Sequence, residues 1–276
     1  MKRTILFIQF LFLVIAANAT GQEGDIIYID GTRWELLGRP IYADSLLSKA
    51  LIAELPKERA TTTANWDGFI AYWSIKKDVL YLDSVQCEYS SRYAKGSWWN
   101  SIPSITLLRV FNKHITKKGI VASWLTNDIR IAKGKMIYYQ HSGFMRNYEN
   151  EQIISINKGK VIKKKAYHNY VIDGLSLDNE NATAEIARLF PFPIEKYPEL
   201  AKETRIEFWI QKARTNSMGH LVECEVKVLK PADDQRLANE MAAMLKAYHP
   251  WKVYYINGEF RGYGIEGVRI PYRIRK

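Results

Sequence analysis

Residues able to carry chemistry are sparse in this 276-residue chain, and few stand at spacings that a reaction needs. The five histidines, His114, His141, His168, His220 and His249, are never three or four apart, so no helical pair could hold zinc. Two cysteines cannot form a four-thiolate site. Cys87 would be the candidate nucleophile, but it closes a strand-like run with no activating base indicated. Cys224 falls on the apolar side of an alternating run and reads as a small core residue; whether the two thiols are bonded stays open. His141-Ser142 is an adjacent pair without a third member, and no G-x-S-x-G elbow occurs. Gly262-Tyr-Gly264-Ile-Glu-Gly267 spells the dinucleotide fingerprint, yet the residues after Gly267 alternate as a strand where a helix must receive the pyrophosphate. It reads as a glycine-rich turn. No cofactor or metal is expected, and a hydrolase with a dispersed site is the weakest of three readings.

Two binding features remain. Trp98-Trp99, beside Lys95, Gly96 and Asn100, could form an aromatic platform for a sugar or a partner surface. The competing reading is a strand-end pair with one ring in the core. Lys158, Lys160, Lys163, Lys164 and Lys165 could bind a polyanion, or could simply solvate a hairpin and deter edge pairing. The whole chain carries 40 basic and 29 acidic residues, a net charge of +11. That excess is local: residues 109–165 hold 13 basic and 3 acidic side chains, a net +10. An acidic partner, such as an anionic glycan, lipopolysaccharide or an anionic lipid surface, should be sought there.

The elements that must position these groups begin after an address. Lys2 and Arg3 precede an apolar run, Ile5–Ala17, and Ala17-Asn18-Ala19, which together describe a signal peptide cleaved after Ala19. Export to the periplasm or cell exterior is expected, with no transmembrane helix after cleavage. That location disfavours nucleic acid as a partner. Asp44–Leu55 should form a short helix, capped by Asp44 and stopped by Pro56. Phe69–Ile75 and Val79–Val85 should pair as a hairpin across Lys76-Lys77-Asp78. Further strand-like runs lie at Ser104–Phe111, Ile120–Trp124, Ile129–Ile131, Met136–Tyr139, Ile153–Ile156 and Lys160–Ile162, an antiparallel β-meander. Gly68 to Trp73 and Gly119 to Trp124 share G-x-[IV]-A-x-W, a weak hint of duplication. Pro191, Pro193 and Pro198 suit an extended linker, placing a boundary near Ala187–Pro191.

Beyond it, Ile206, Phe208 and Ile210 alternate with polar residues and pair with a run containing Val222, Cys224, Val226 and Val228. Leu237, Met241, Met244, Leu245 and Tyr248 form a helical stripe, ended by His249-Pro250. A strand at Trp251–Ile256, an Asn257-Gly258 turn and a last strand through Val268, Ile270, Tyr272 and Ile274 come after it. Tyr197-Pro198, Ala201, Ile206-Glu-Phe208, Gly219, the helix, His249-Pro250-Trp251, Asn257-Gly258 and Val268-Arg-Ile-Pro271-Tyr together resemble the C-terminal domain of TonB energy-transducing proteins. The resemblance covers about residues 190–276. It implies a small ββαβ fold that binds a protein partner in a Gram-negative cell envelope by strand addition, along Arg269, Pro271, Arg273 and Arg275. The uncleaved membrane helix and long proline-rich spacer of an energy transducer are missing, and Thr204 stands where a glycine often precedes the first strand. Energy transduction is therefore not carried over. The expectation is an α+β chain: a signal peptide at 1–19, a β-rich domain at 20–187 with one short helix, and a TonB-like domain at 188–276. Its expected role is non-enzymatic envelope interaction, with anionic glycan binding through 109–165 as the alternative.

Overall fold

The computed structural model describes residues 20–90, 96–177 and 182–274; the expected signal peptide 1–19, Lys95 and Arg275 lie outside the described residues. The protein is mixed α+β with a β-rich body. The chain divides into two compact units after Tyr167, earlier than the composition shift suggests. The reason is pairing and burial beyond that point. Tyr170–Ile172 pairs with Val253–Tyr255, and Leu177, Ile186, Phe190 and Phe192 belong to the second core. The proline stretch is packed rather than a linker.

Turn chemistry lays out the first unit. Strands β1 (Asp25–Ile29) and β2 (Thr32–Leu36) join through Asp30-Gly31 with φ of 49° and 75°. Strands β3 (Phe69–Lys76) and β4 (Val79–Ser90) join through Lys77-Asp78 with φ of 50° and 57°. Positive φ at both turn residues matches the right-handed twist of paired strands, which is why such two-residue turns make tight hairpins. Helix α1 (Ser45–Glu54) starts as expected, with the Asp44 carboxylate accepting from Leu46 N at 2.9 Å and Leu47 N at 3.1 Å. Strand β5 (Ser97–Ser101) pairs with β4. Ser104–Phe111 is a correction: helix α2 (Ser104–Val110) forms there, a second α-helix among the unit's described residues. Leu107 and Phe111, four apart, enter the core while Ile105 and Leu108 face solvent. Pro103 serves at the N-cap, and burial of one face outweighs the β-branched character of the segment.

Strands β6 (Ile115–Thr116), β7 (Gly119–Val121), β8 (Asn127–Tyr139), β9 (Arg146–Asn157) and β10 (Lys160–His168) complete the sheet. Its order is β10-β9-β8-β2-β1-β3-β4-β7-β6, and β10 also pairs with β4, closing seven strands into a ring. Leu80 N donates to Gly159 O at 2.9 Å and Val161 N to Asp78 O at 2.8 Å at the closure. This is not the expected simple antiparallel meander. β1 runs parallel to β3, with Ile27 opposite Trp73, and β2 lies beside β8. Inside lie Trp73, Ile27, Leu80, Val85, Ile131 and Ile154, with Leu51 and Phe111 from the helices. The two G-x-[IV]-A-x-W segments feed β3 and β7, which flank β4, and Trp73 and Trp124 meet at 6.2 Å.

In the second unit, β12 (Arg205–Thr215) lies between β13 (Leu221–Lys230) and β16 (Arg269–Arg273), all antiparallel. Before them come β11 (Tyr170–Ile172) and α3 (Ala182–Leu189). Helix α4 (Gln235–Ala247) is capped by the Asp234 carboxylate and buries Leu237, Met241 and Leu245 of the expected stripe, while Met244 and Tyr248 are half-buried against the same core. The Asn257-Gly258 hairpin, β14 (Val253–Ile256) with β15 (Glu259–Arg261), departs from the expected ββαβ arrangement: it pairs with β11 as a three-stranded sheet separate from β13-β12-β16. Trp251, fully buried, explains the departure, since its ring stacks on Phe190 at 5.7 Å and anchors the start of β14 to the core. Among the described residues, no helix is long and apolar enough to cross a membrane.

Candidate functional site

Five lysines of the 109–165 region converge on one cleft of about 490 Å³ in the first unit. One wall is the β6–β7 hairpin. Thr116 Oγ1 donates to Gly119 O at 2.9 Å and accepts from Lys118 N at 3.2 Å, so one hydroxyl braces the turn that presents Lys117 and Lys118. The facing wall is the β9–β10 turn, Lys158-Gly159, with φ of 47° and 77°. Gly159 N donates to Leu125 O at 3.1 Å, and a Cβ on Gly159 would meet the Ala122 carbonyl carbon at 2.9 Å. Only glycine permits this approach and this dihedral together, and it holds Lys158 and Lys160 on either side of the turn. Val79, Tyr81 and Val121 give an apolar floor, and Lys113 is the fifth ammonium. Among the described residues, no carboxylate lines the cleft.

His114 also lines it, with Nδ1 2.6 Å from Ser123 Oγ and its ring edge-on to Trp124 at 4.9 Å. Burial lowers its pKa from the ordinary histidine value, with Lys113 acting in the same direction and Asp44 opposing. The imidazole is therefore a neutral wall group at neutral pH rather than a further cation.

The sequence-expected residues separate here. Lys158 and Lys160 enter the cleft; Lys163, Lys164 and Lys165 do not. Lys164 pairs with Asp78 at 3.0 Å, and the Lys165 ammonium sits 4.9 Å from the centre of the Tyr167 ring. Lys113, Lys117, Lys118 and Tyr81 were not singled out, although the charge excess over 109–165 includes the three lysines. The tryptophan pair puts neither ring in the core: Trp99 is half-buried, and Trp98 stacks on Tyr89 at 6.0 Å while staying 43% exposed.

β16 is an outer strand, but its edge is blunted. Ile210 N donates to Val268 O and Ile274 N to Thr204 O, so Ile270 and Tyr272 turn their backbone groups toward β12. By the period of two, Arg269, Pro271 and Arg273 turn theirs outward, and Pro271 has no N–H to offer. Helix α3 also lies against this strand. β13, at the opposite side of the sheet, is its other outer strand.

Cys87 and Cys224 are buried free thiols, each with its pKa raised chiefly by burial, Cys224 to about 11. The Gly262–Gly267 segment is a turn between β15 and β16, with Ile265 fully buried. Among the described residues, no cluster of three or more His, Cys, Asp or Glu could hold a metal ion. No protein-family model, curated protein or solved structure matches the chain.

Proposed function

We propose that this is a non-enzymatic binding protein of the cell envelope whose first unit holds an anionic glycan in the lysine-rimmed cleft. The observation that carries the proposal is the convergence of Lys113, Lys117, Lys118, Lys158 and Lys160 on an apolar floor, with no carboxylate among the described lining residues. Lysines placed for solubility are ordinarily interspersed with acids. Five like charges in one cleft repel each other until an anion enters, and at physiological salt each acts over about 8 Å. The floor of Val79, Tyr81 and Val121 suits the carbon skeleton of a ring that carries phosphate, sulfate or carboxylate groups.

The test is binding of a heparin hexasaccharide to the full chain. Each rim lysine contributes about 1 kcal/mol toward an anionic surface, so Lys158→Ala with Lys160→Ala should weaken binding about 30-fold. Lys163→Ala with Lys165→Ala should change it little. Equal losses in both double variants would refute the cleft as the site. Cleavage of the glycan during the assay would instead favour a hydrolase, with His114 and Ser123 as the pair to mutate.

A second reading concerns the second unit. Its resemblance to TonB C-terminal domains suggests docking of a protein partner by strand addition, and β13 is the outer strand that fits, since proline blunts β16. A photo-crosslinker at Val222, 46% exposed on β13, should then capture the partner in envelope extracts more efficiently than one at Arg273. The reverse order would return the docking edge to β16.

A further inference from the structure

Trp66 is 72% exposed, yet it stands on a tightly braced loop. Its indole Nε1 donates to Thr63 O at 2.6 Å, and Gln22 Nε2 donates to the same carbonyl at 3.1 Å. Gly68 N donates to Asn65 O at 3.1 Å, and Arg59 Nε to Asp67 O at 2.6 Å. The polar edge of the ring is thus satisfied within the loop while the ring remains open to solvent. A tryptophan exposed merely for want of a partner would not need its orientation fixed in this way.

The ring borders a cleft of about 450 Å³ whose other walls are Gln22, Arg39, Tyr42, Asp67 and Phe144. These groups are also set in place. The Tyr42 hydroxyl donates to the Asp67 carboxylate, and its ring stacks on Phe69 at 6.3 Å. Arg39 donates to Asn65 Oδ1 at 2.7 Å and Glu23 O at 3.2 Å, and its guanidinium lies 5.2 Å from the centre of the Phe69 ring. The result is a preformed cleft with three aromatic side chains, one carboxylate, one guanidinium and one amide in its lining.

We infer that this aromatic cleft is a second binding site, separate from the lysine cleft, and that it takes a neutral pyranose of an oligosaccharide. Aromatic faces bury the C–H face of a sugar ring, while a carboxylate, a guanidinium and an amide supply paired acceptors and donors for adjacent hydroxyls. The volume lies in the range of small-ligand sites, about 300–1,000 Å³. Asp67 and Arg39 line it together, so the cleft has no net charge to favour an anion, unlike the lysine-rimmed site. The two clefts open at opposite ends of the β3–β4 hairpin, Trp66 and Asp67 preceding β3 and Val79 following its turn. An eight-residue strand spans about 26 Å, so substitutions at one site leave the other in place.

The test titrates the full chain with chitohexaose and cellohexaose, followed by tryptophan fluorescence and calorimetry. At least one sugar should bind with an affinity that is constant from low to high salt. Trp66→Ala should weaken it about tenfold or more, and Trp66→Phe, which keeps a ring, should restore part of the loss. Lys158→Ala with Lys160→Ala should leave it unchanged, which separates this site from the anionic one. No binding of either sugar at about 10 mM, or binding that survives Trp66→Ala in a folded variant, overturns the inference.

Discussion

Burial of Asp25 should make the protein less stable as pH rises from 4 to 7, against the usual behaviour of a carboxylate. Asp25 is fully buried beside the first core, accepting from the Trp73 indole at 2.9 Å and from Ala71 N at 3.1 Å. Loss of solvent raises its pKa to about 6, more than the attraction of Arg39 and the two hydrogen bonds lower it. The folded chain therefore keeps this proton to higher pH than the unfolded chain, whose aspartate titrates near the reference value of 3.8. The associated stability is fully present below pH 4 and is lost as pH rises through 6. The gap between 3.8 and about 6 corresponds to about 3 kcal/mol at 1.36 kcal/mol per pH unit. Urea unfolding of the wild type and Asp25→Asn from pH 3.5 to 7.5 isolates the effect, because the other carboxylates titrate alike in both. Below pH 4 the variant should be the less stable by about 1–3 kcal/mol, since one amide oxygen cannot serve both donors as two carboxyl oxygens do. By pH 7.5 the balance should move by about 3 kcal/mol in the variant's favour, closing or reversing the deficit. Parallel curves would mean that Arg39 and the two hydrogen bonds offset burial in full, and a wild type that gains on the variant as pH rises would mean that they outweigh it.

Gly159→Ala combines a positive φ with a contact at the Ala122 carbonyl, so it should destabilise by about 1–3 kcal/mol and weaken anion binding as the lysines shift. Melting and glycan titration of one sample check both effects. Pro271→Val restores an outward N–H on β16, and light scattering should register increased self-association; a mass unchanged from the wild type would show that helix α3 already guards the edge. Native alkylation with iodoacetamide should leave Cys87 and Cys224 unmodified, and both should react after denaturation, because each thiol is buried with a raised pKa.

Local signals were legible in the sequence where a single element satisfied them. Asp44 capped its helix, and the Leu237–Leu245 stripe faced the core because its spacing leaves one apolar side. Lys77-Asp78 and Asn257-Gly258 turned their hairpins as expected. Three features depended on distant chain and were not legible. The parallel β1–β3 pair is chosen by burial of Ile27 and Trp73 in one interior, not by a local motif. Helix α2 forms because Leu107 and Phe111 reach that interior four residues apart, which strand propensity conceals. The seven-strand ring closes through Gly159, whose need for glycine comes from Ala122, far off in sequence.

The candidate sites divided in the same way. Charge counting found the basic region, but ring closure decided that Lys158 and Lys160 join Lys113, Lys117 and Lys118 while Lys163–Lys165 stay outside. The adjacent tryptophans in the sequence are Trp98 and Trp99. The braced, exposed ring is Trp66, in a polar loop without strand or helix periodicity to mark it.

The most direct measurement is the affinity of the full chain for heparin hexasaccharide as a function of salt, in the wild type and in Lys158→Ala with Lys160→Ala. Binding through five cleft lysines predicts an affinity that falls steeply with salt and a shallower slope in the variant, whose rim retains three. A salt-insensitive interaction, or identical slopes for the two proteins, would contradict the lysine cleft as the functional site.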